Sequence, residues 1–192
     1  MMGLQNRYRV TPSPLDESLL QQQLRDIEPI EYTRTLALEK AMALAQSLAT
    51  STSATFAHHH QQQQPATTLV LGSDTIVAYD GHILEKPVDE ADAVRMLETL
   101  QGNRHSVHTG VALVKVQQRQ QQQHEGKDVT LVEAFTDTAQ VTFATLSTND
   151  IASYVATGEP MDKAGSYGIQ GIGGQLVTSI EGDFFTVSLV SG

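Results

Sequence analysis

The stretch Gly72-Ser73-Asp74-Thr75 places a carboxylate inside an apolar run, TTLVLGSDTIVAY. An Asp in such a run costs free energy unless it is hydrogen-bonded, paired with a cation or coordinated to a metal. Asp74 therefore either satisfies nearby loop amides or serves chemistry. Glu85-Lys86-Pro87 follows one short hairpin later, so Lys86 can return close to Asp74. There it can pair with the carboxylate or hold a phosphate as a point charge; an ordinary surface lysine is the plain alternative. Lys40 lies among Leu36, Ala37, Ala41 and Leu44, where a stem laid along apolar surface would explain it. Asp16-Glu17 follows the turn-like TPSP, and an acidic helix start complements the helix dipole without any catalytic role. The segment AGSYGIQGIGG (164–174) can form a tight backbone platform against a ligand. Within it, Gln170 carries an amide able to make paired hydrogen bonds to a planar base edge.

The elements that must position these residues are legible in outline. Residues 31–49 are rich in Ala and Leu, with Leu36, Lys40 and Leu44 spaced along one helical face. β-Branched and apolar residues predict a buried strand from 67 to about 79. Asp80-Gly81 is a turn signal, and Pro87 ends the short piece after it. Asp89 is placed to cap a helix over 89–100, where Ala93, Met96, Leu97 and Leu100 repeat at helical spacing and Gly102 marks the stop. Residues 105–116 and 129–146 alternate like antiparallel strands. Ser147 and Asp150 form a capping pair for a helix ending near 158–160. The last stretch, QLVTSIEGDFFTVSLV, reads as a hairpin turning near Gly182. This order predicts an α/β fold, a mixed sheet flanked by helices.

Gln-rich tracts interrupt the pattern, and their composition cannot bury apolar area, so 50–66 and 117–128 read as low-complexity insertions in a single domain over 1–192. His58-His59-His60 cannot all face one metal in a regular element, which argues against a metal or interaction module built on that tract. His105 and His108, three apart on a strand, point to opposite faces and do not form a ligand pair. The net charge of −10 argues against a nucleic-acid polymer as partner, while a few local cations can still serve a small anionic ligand. No run of about 18 apolar residues occurs, so no membrane span is expected. The absence of Cys and of a visible secretory signal fits a cytoplasmic protein.

The segments SPLDES (13–18), LALEKAMALA (36–45), the stretch from VLGSDT through EKP to HTGVAL (70–113), FTDTAQVTFATLS (135–147) and YVATGEPMDKAGSYGIQG (154–171) occur in one order. Together they resemble the Maf (septum-formation) family of nucleoside triphosphate pyrophosphatases. The resemblance implies a Maf/anticodon-like α/β fold of two lobes, with a cleft that takes a nucleoside triphosphate and a divalent metal, Mg²⁺ or Mn²⁺. It also implies a homodimer, and hydrolysis of the α–β phosphoanhydride to nucleoside monophosphate and pyrophosphate. Asp74 matches the family's proposed general base, and Glu17, Lys40 and Lys86 match the polar cluster around phosphates and metal. Thr75 and Gln170 match positions that mark the subgroup preferring dTTP and UTP. Family members begin with a strand and a Ser-x-Ser-Pro-Arg-Arg loop, whereas MMGLQNRYRV aligns just after the helix that follows that loop. The expectation is a shortened domain, and a non-catalytic or weakly active nucleotide-binding protein is the alternative function. Without the arginines of that loop, each missing charge-assisted hydrogen bond would weaken binding by about 1.5–3 kcal/mol.

Overall fold

The computed structural model describes residues 8–24, 26–50, 67–118 and 126–188. Helices α1 (Glu17–Gln23) and α2 (Pro29–Thr50) come first, then strands β1 (Thr67–Tyr79) and β2 (His82–Leu84). Asp80 and Gly81 both adopt positive φ, 49° and 76°, which gives the tight turn that the Asp-Gly pair predicts. Helix α3 (Glu90–Leu100) begins where the Asp89 side chain accepts from the Asp92 amide at 2.8 Å. Strands β3 (Arg104–Gln118) and β4 (Lys127–Phe143) follow, then α4 (Thr148–Val155), three 3-10 turns, β5 (Val177–Glu181) and α5 (Phe184–Ser188). The Ser147–Asp150 capping box forms in both directions at the start of α4, as expected.

The five strands form one sheet in the order β2-β1-β3-β4-β5. The α/β class, a sheet flanked by helices, is as expected. In place of the mixed pairing expected, every pairing among the described strands is antiparallel. β3 and β4 stay paired out to Gln117↔Asp128 and Gln118↔Lys127, which takes both ends of the expected 117–128 loop into the ladder. Residues 51–66 and 119–125, where the rest of the two insertions fall, lie outside the described residues.

Strand alternation divides the core between the two faces of the sheet. Val70 and Ile76 of β1 pack with Ala37, Ala41 and Leu36 of α2, while Val77 points the other way, into a larger cluster with Leu97, Leu100, Val107, Val141 and Tyr154. The expected closing hairpin is corrected. After Gly182 the Asp183 side chain accepts from the Phe185 amide at 2.8 Å, and the chain turns into α5. The β-branched residues that suggest a strand there are used instead for burial, with Thr186 and Val187 seated against the sheet. His105 and His108 do face opposite ways. His105 Nε2 lies 2.8 Å from the Tyr167 hydroxyl, and His108 Nδ1 lies 2.9 Å from Thr138 Oγ1. Burial holds His105 down to about 4, so its ring is neutral.

Candidate active site

Asp74 occupies the α2 side of β1, opposite Lys40. The Lys40 ammonium donates to Asp74 Oδ1 at 2.6 Å and lies 2.8 Å from Glu17 Oε2. Three local choices bring these groups together. Gly72 lets α2 lie directly on β1, since a Cβ there would stand 2.5 Å from the Ala37 carbonyl oxygen. The Ser13 hydroxyl donates to the Lys40 carbonyl at 3.1 Å and ties the segment before α1 to α2. Asp16 then caps α1, accepting from the Ser18 amide at 3.1 Å, and sets Glu17 in its first turn.

Burial dominates the electrostatics of the pair. It pushes the Asp74 carboxyl up to about 6, against the pull of Lys40, with Glu85 and Glu17 adding to the rise. Burial alone would disfavour the Lys40 ammonium, but Asp74 and then Glu17 more than offset it, so Lys40 stays charged. Asp74 is thus a carboxylate that ionises near neutrality, oriented by a permanent cation.

Glu85 faces the same space from the end of β2. The Tyr32 hydroxyl donates to one of its oxygens, and Gln21 Nε2 donates to the other at 2.7 Å. Burial and the Glu85 charge raise the Tyr32 phenol far above its ordinary range, so it remains a donor. Together these elements enclose a cavity of about 410 Å³ lined by Glu17, Lys40, Asp74, Thr75, Glu85 and Lys86 among others. α1 contributes Glu17 and Gln21 to the lining, α2 contributes Lys40, β1 contributes Ser73, Asp74, Thr75 and Ile76, and the chain just beyond β2 contributes Glu85 and Lys86, with Ala164 from the later turns. Lys86 reaches this cavity as expected, but the cation on Asp74 is Lys40.

A family model described as a Maf-like protein matches residues 1–188. The chain belongs to the Maf family. Among its relatives, the dTTP/UTP pyrophosphatase of Koribacter versatilis is 44% identical over 160 residues, which cover 83% of this chain and 67% of that protein. The dTTP/UTP pyrophosphatase of Shewanella sp. (strain MR-7) is 48% identical over 159 residues, covering 83% and 68%. A human protein named probable bifunctional dTTP/UTP pyrophosphatase/methyltransferase is 41% identical over 181 residues, which span 94% of this chain and 26% of that protein.

Five of the six Maf-type site residues read from the sequence, Glu17, Lys40, Asp74, Thr75 and Lys86, line the one cavity. Gln170 does not line it and is exposed on the Gly-rich segment. That segment is not the open amide platform expected from its glycines. The amides of Ile172 and Gly173 both donate to the Glu159 carboxylate, each at 2.9 Å, and Tyr154 Oη donates to it at 2.9 Å as well. Burial would raise the Glu159 carboxyl, but these donors outweigh it and hold the group below its ordinary value. Glu159→Gln turns part of this acceptor into a donor facing N–H groups, and is expected to lower the urea midpoint by the equivalent of about 1–2 kcal/mol.

Tyr32, Gln21 and Glu85 stand together at the candidate site and are not among the residues read from the sequence. Glu85 stands in the EKP motif, overshadowed by Lys86. Tyr32 carried a usable signal, because Tyr32, Leu36 and Lys40 are four apart and share one line along α2.

Proposed function

We propose that this Maf-family chain hydrolyses nucleoside triphosphates, with dTTP and UTP preferred, to the nucleoside monophosphate and pyrophosphate. The observation that carries the reading is the Asp74–Lys40 pair, a near-neutral carboxylate held at 2.6 Å by an ammonium in a cavity that also receives Lys86 and Thr75. The names of the bacterial relatives support the substrate class.

In this proposal Asp74 orients a water and accepts its proton as the water oxygen bonds to the α-phosphorus and the bond to the β-phosphate oxygen breaks. Pyrophosphate departs with the electron pair of the broken bond. Lys40 fixes Asp74, and Lys86 offsets charge on the departing phosphates. Glu17 and Glu85 give the cavity an acidic wall, three carboxylates with Asp74 against two ammonium groups. A bare triphosphate would be repelled there unless a cation came with it. The oxygen donors fit a hard divalent ion such as Mg²⁺ or Mn²⁺, which is commonly held by one or two carboxylates plus substrate phosphates. No three acidic or His side chains form a ready-made metal cluster among the described residues. Glu17 and Glu85 would hold that ion, and it would supply charge neutralisation on the phosphoryl oxygens. Gln170 enters the proposal as a base-recognising residue by family resemblance alone. A homodimer and a cytoplasmic location belong to the same proposal; no helix among the described residues is long and apolar enough to cross a membrane.

The deciding experiment offers dTTP, UTP, CTP and GTP, each with Mg²⁺ or Mn²⁺, to the purified chain and measures pyrophosphate release. Release from dTTP and UTP ahead of CTP and GTP is the expected result. Folded protein that releases none from any of the four would sink the proposal.

A further inference from the structure

The carboxylates that line the cavity are not equally engaged. Asp74 and Glu17 share the Lys40 ammonium, at 2.6 Å and 2.8 Å. Glu85 forms no ion pair among the described residues, and its side-chain partners are both neutral. The Tyr32 hydroxyl donates to Oε1, and Gln21 Nε2 donates to Oε2 at 2.7 Å. The backbone is held too, since the Gly165 amide donates to the Glu85 carbonyl oxygen at 3.0 Å. Glu85 is thus fixed from α1, from α2 and from the turns that follow Lys163, while its negative charge stays uncancelled.

Tyr32 is the firmer of the two side-chain clamps. It is 3% exposed and packs with Leu36 and Ile76, so its ring has no room to swing. Gln21 is half-buried on α1, a helix that buries no residue completely. A carboxylate has about four acceptor positions, and the two donors take one each. The others are left for a ligand in the cavity, which Glu85 lines. A cation arriving there meets a carboxylate whose orientation is already set, and no side chain has to be ordered at the moment of binding.

We infer that Tyr32 is a positioning residue, which together with Gln21 presents the Glu85 carboxylate to the cavity as a ligand for the divalent cation. The inference rests on the reading above in which Glu85 helps to hold that ion. Tyr32 itself donates to Glu85 and acts only through it. Hydrogen-bond partners that orient a metal-ligating side chain are commonly worth about 10–100-fold in metal affinity. A tie that merely fastens α2 to the end of β2 would behave differently: its loss would lower stability and leave cation binding untouched.

The test titrates Mn²⁺ alone into the purified chain and follows free Mn²⁺ by electron paramagnetic resonance. It compares the wild type with Tyr32→Phe, Glu85→Gln and the double variant. Phe keeps the ring and removes only the hydroxyl. Tyr32→Phe is expected to weaken Mn²⁺ binding by about tenfold, the lower end of the range for such partners, and Glu85→Gln by at least as much. In the double variant the Tyr32 change should add nothing further, because its effect passes through Glu85. An affinity unchanged in Tyr32→Phe, a loss that adds in full to that of Glu85→Gln, or a wild type that binds no Mn²⁺ would each overturn the inference. Should Tyr32→Phe not fold, as judged by circular dichroism, Gln21→Leu decides by the same titration and the same cycle, since it removes the other donor from a helix at the surface. Pyrophosphate release is scored separately. Coupled Mn²⁺ binding without release would leave the Tyr32 assignment standing and remove the proposed hydrolysis. Release from a chain in which the Tyr32 and Glu85 changes do not couple would do the reverse.

Discussion

Asp74→Asn is expected to lower pyrophosphate release from UTP by about 10²–10⁴-fold, the range a positioned general base contributes. The thermal midpoint at pH 8 should stay at or above that of the wild type. The two halves follow from one fact. Burial raises the Asp74 carboxyl from 3.8 to about 6, which means that the ionised form is disfavoured in the folded chain relative to the unfolded one. A group raised in this way contributes its stability fully below the unfolded value, near 3.8, and loses it as pH climbs through about 6. At pH 8 the wild type has surrendered that contribution and Asn has nothing to surrender. The midpoint difference between the two proteins should therefore shrink as pH is lowered through 6.

The same titration governs the wild-type rate. A base must be unprotonated to take a proton from water, so kcat/KM should fall with decreasing pH below about 6, where Asp74 takes up its proton. Lys40 cannot produce this limb, because Asp74 and Glu17 keep it charged across the range. A flat kcat/KM between pH 5 and 8, or an Asn variant that retains wild-type turnover, would remove Asp74 from the role of base. A midpoint that collapses at pH 8 would instead make Asp74 a structural residue held by Lys40.

The residues of this site were readable from sequence to differing depths, and the differences have physical causes. Asp74 announced itself because a carboxylate inside an apolar strand demands a partner. The partner was harder to name. Lys86 is close in sequence, but Lys40, 34 residues away, holds the carboxylate, since nothing local in the chain reports which face of a helix will lie on which strand. The turn at Asp80-Gly81 and the caps of α3 and α4 were legible because each is decided within about four residues. α5 was not, because FFTVS is a strand by propensity and a helix only through the burial of Thr186 and Val187. The Gly-rich segment misled for a similar reason: the acceptor of its amides, Glu159, lies 13 and 14 residues before them.

Gly110→Ala should be the most damaging small substitution in the sheet. Gly110 pairs with Asp74 across the ladder and lies under the first turns of α2. A Cβ there would stand 2.1 Å from the Thr33 carbonyl oxygen and 2.8 Å from the Arg34 amide nitrogen. Both neighbours are backbone, so no side chain can swing aside and the helix itself must lift. Overpacking of this kind costs about 1–3 kcal/mol and sometimes more, and here the upper end is expected, a fall of about 6–12 °C in thermal midpoint at 2–4 °C per kcal/mol. The damage would reach the site as well. Tyr32 precedes Thr33 directly, and lifting that turn withdraws its hydroxyl from Glu85 and loosens the line that ends at Lys40. Gly81→Ala is the control. Its φ of +76° imposes a conformational cost of about 1–2 kcal/mol, but no atom lies within 4 Å of the added methyl. Turnover there should be unchanged at a temperature where both variants are folded, whereas Gly110→Ala should lose it. Equal midpoints for the two variants, with equal turnover, would mean that α2 does not sit on the sheet closely enough to set the distance between Lys40 and Asp74.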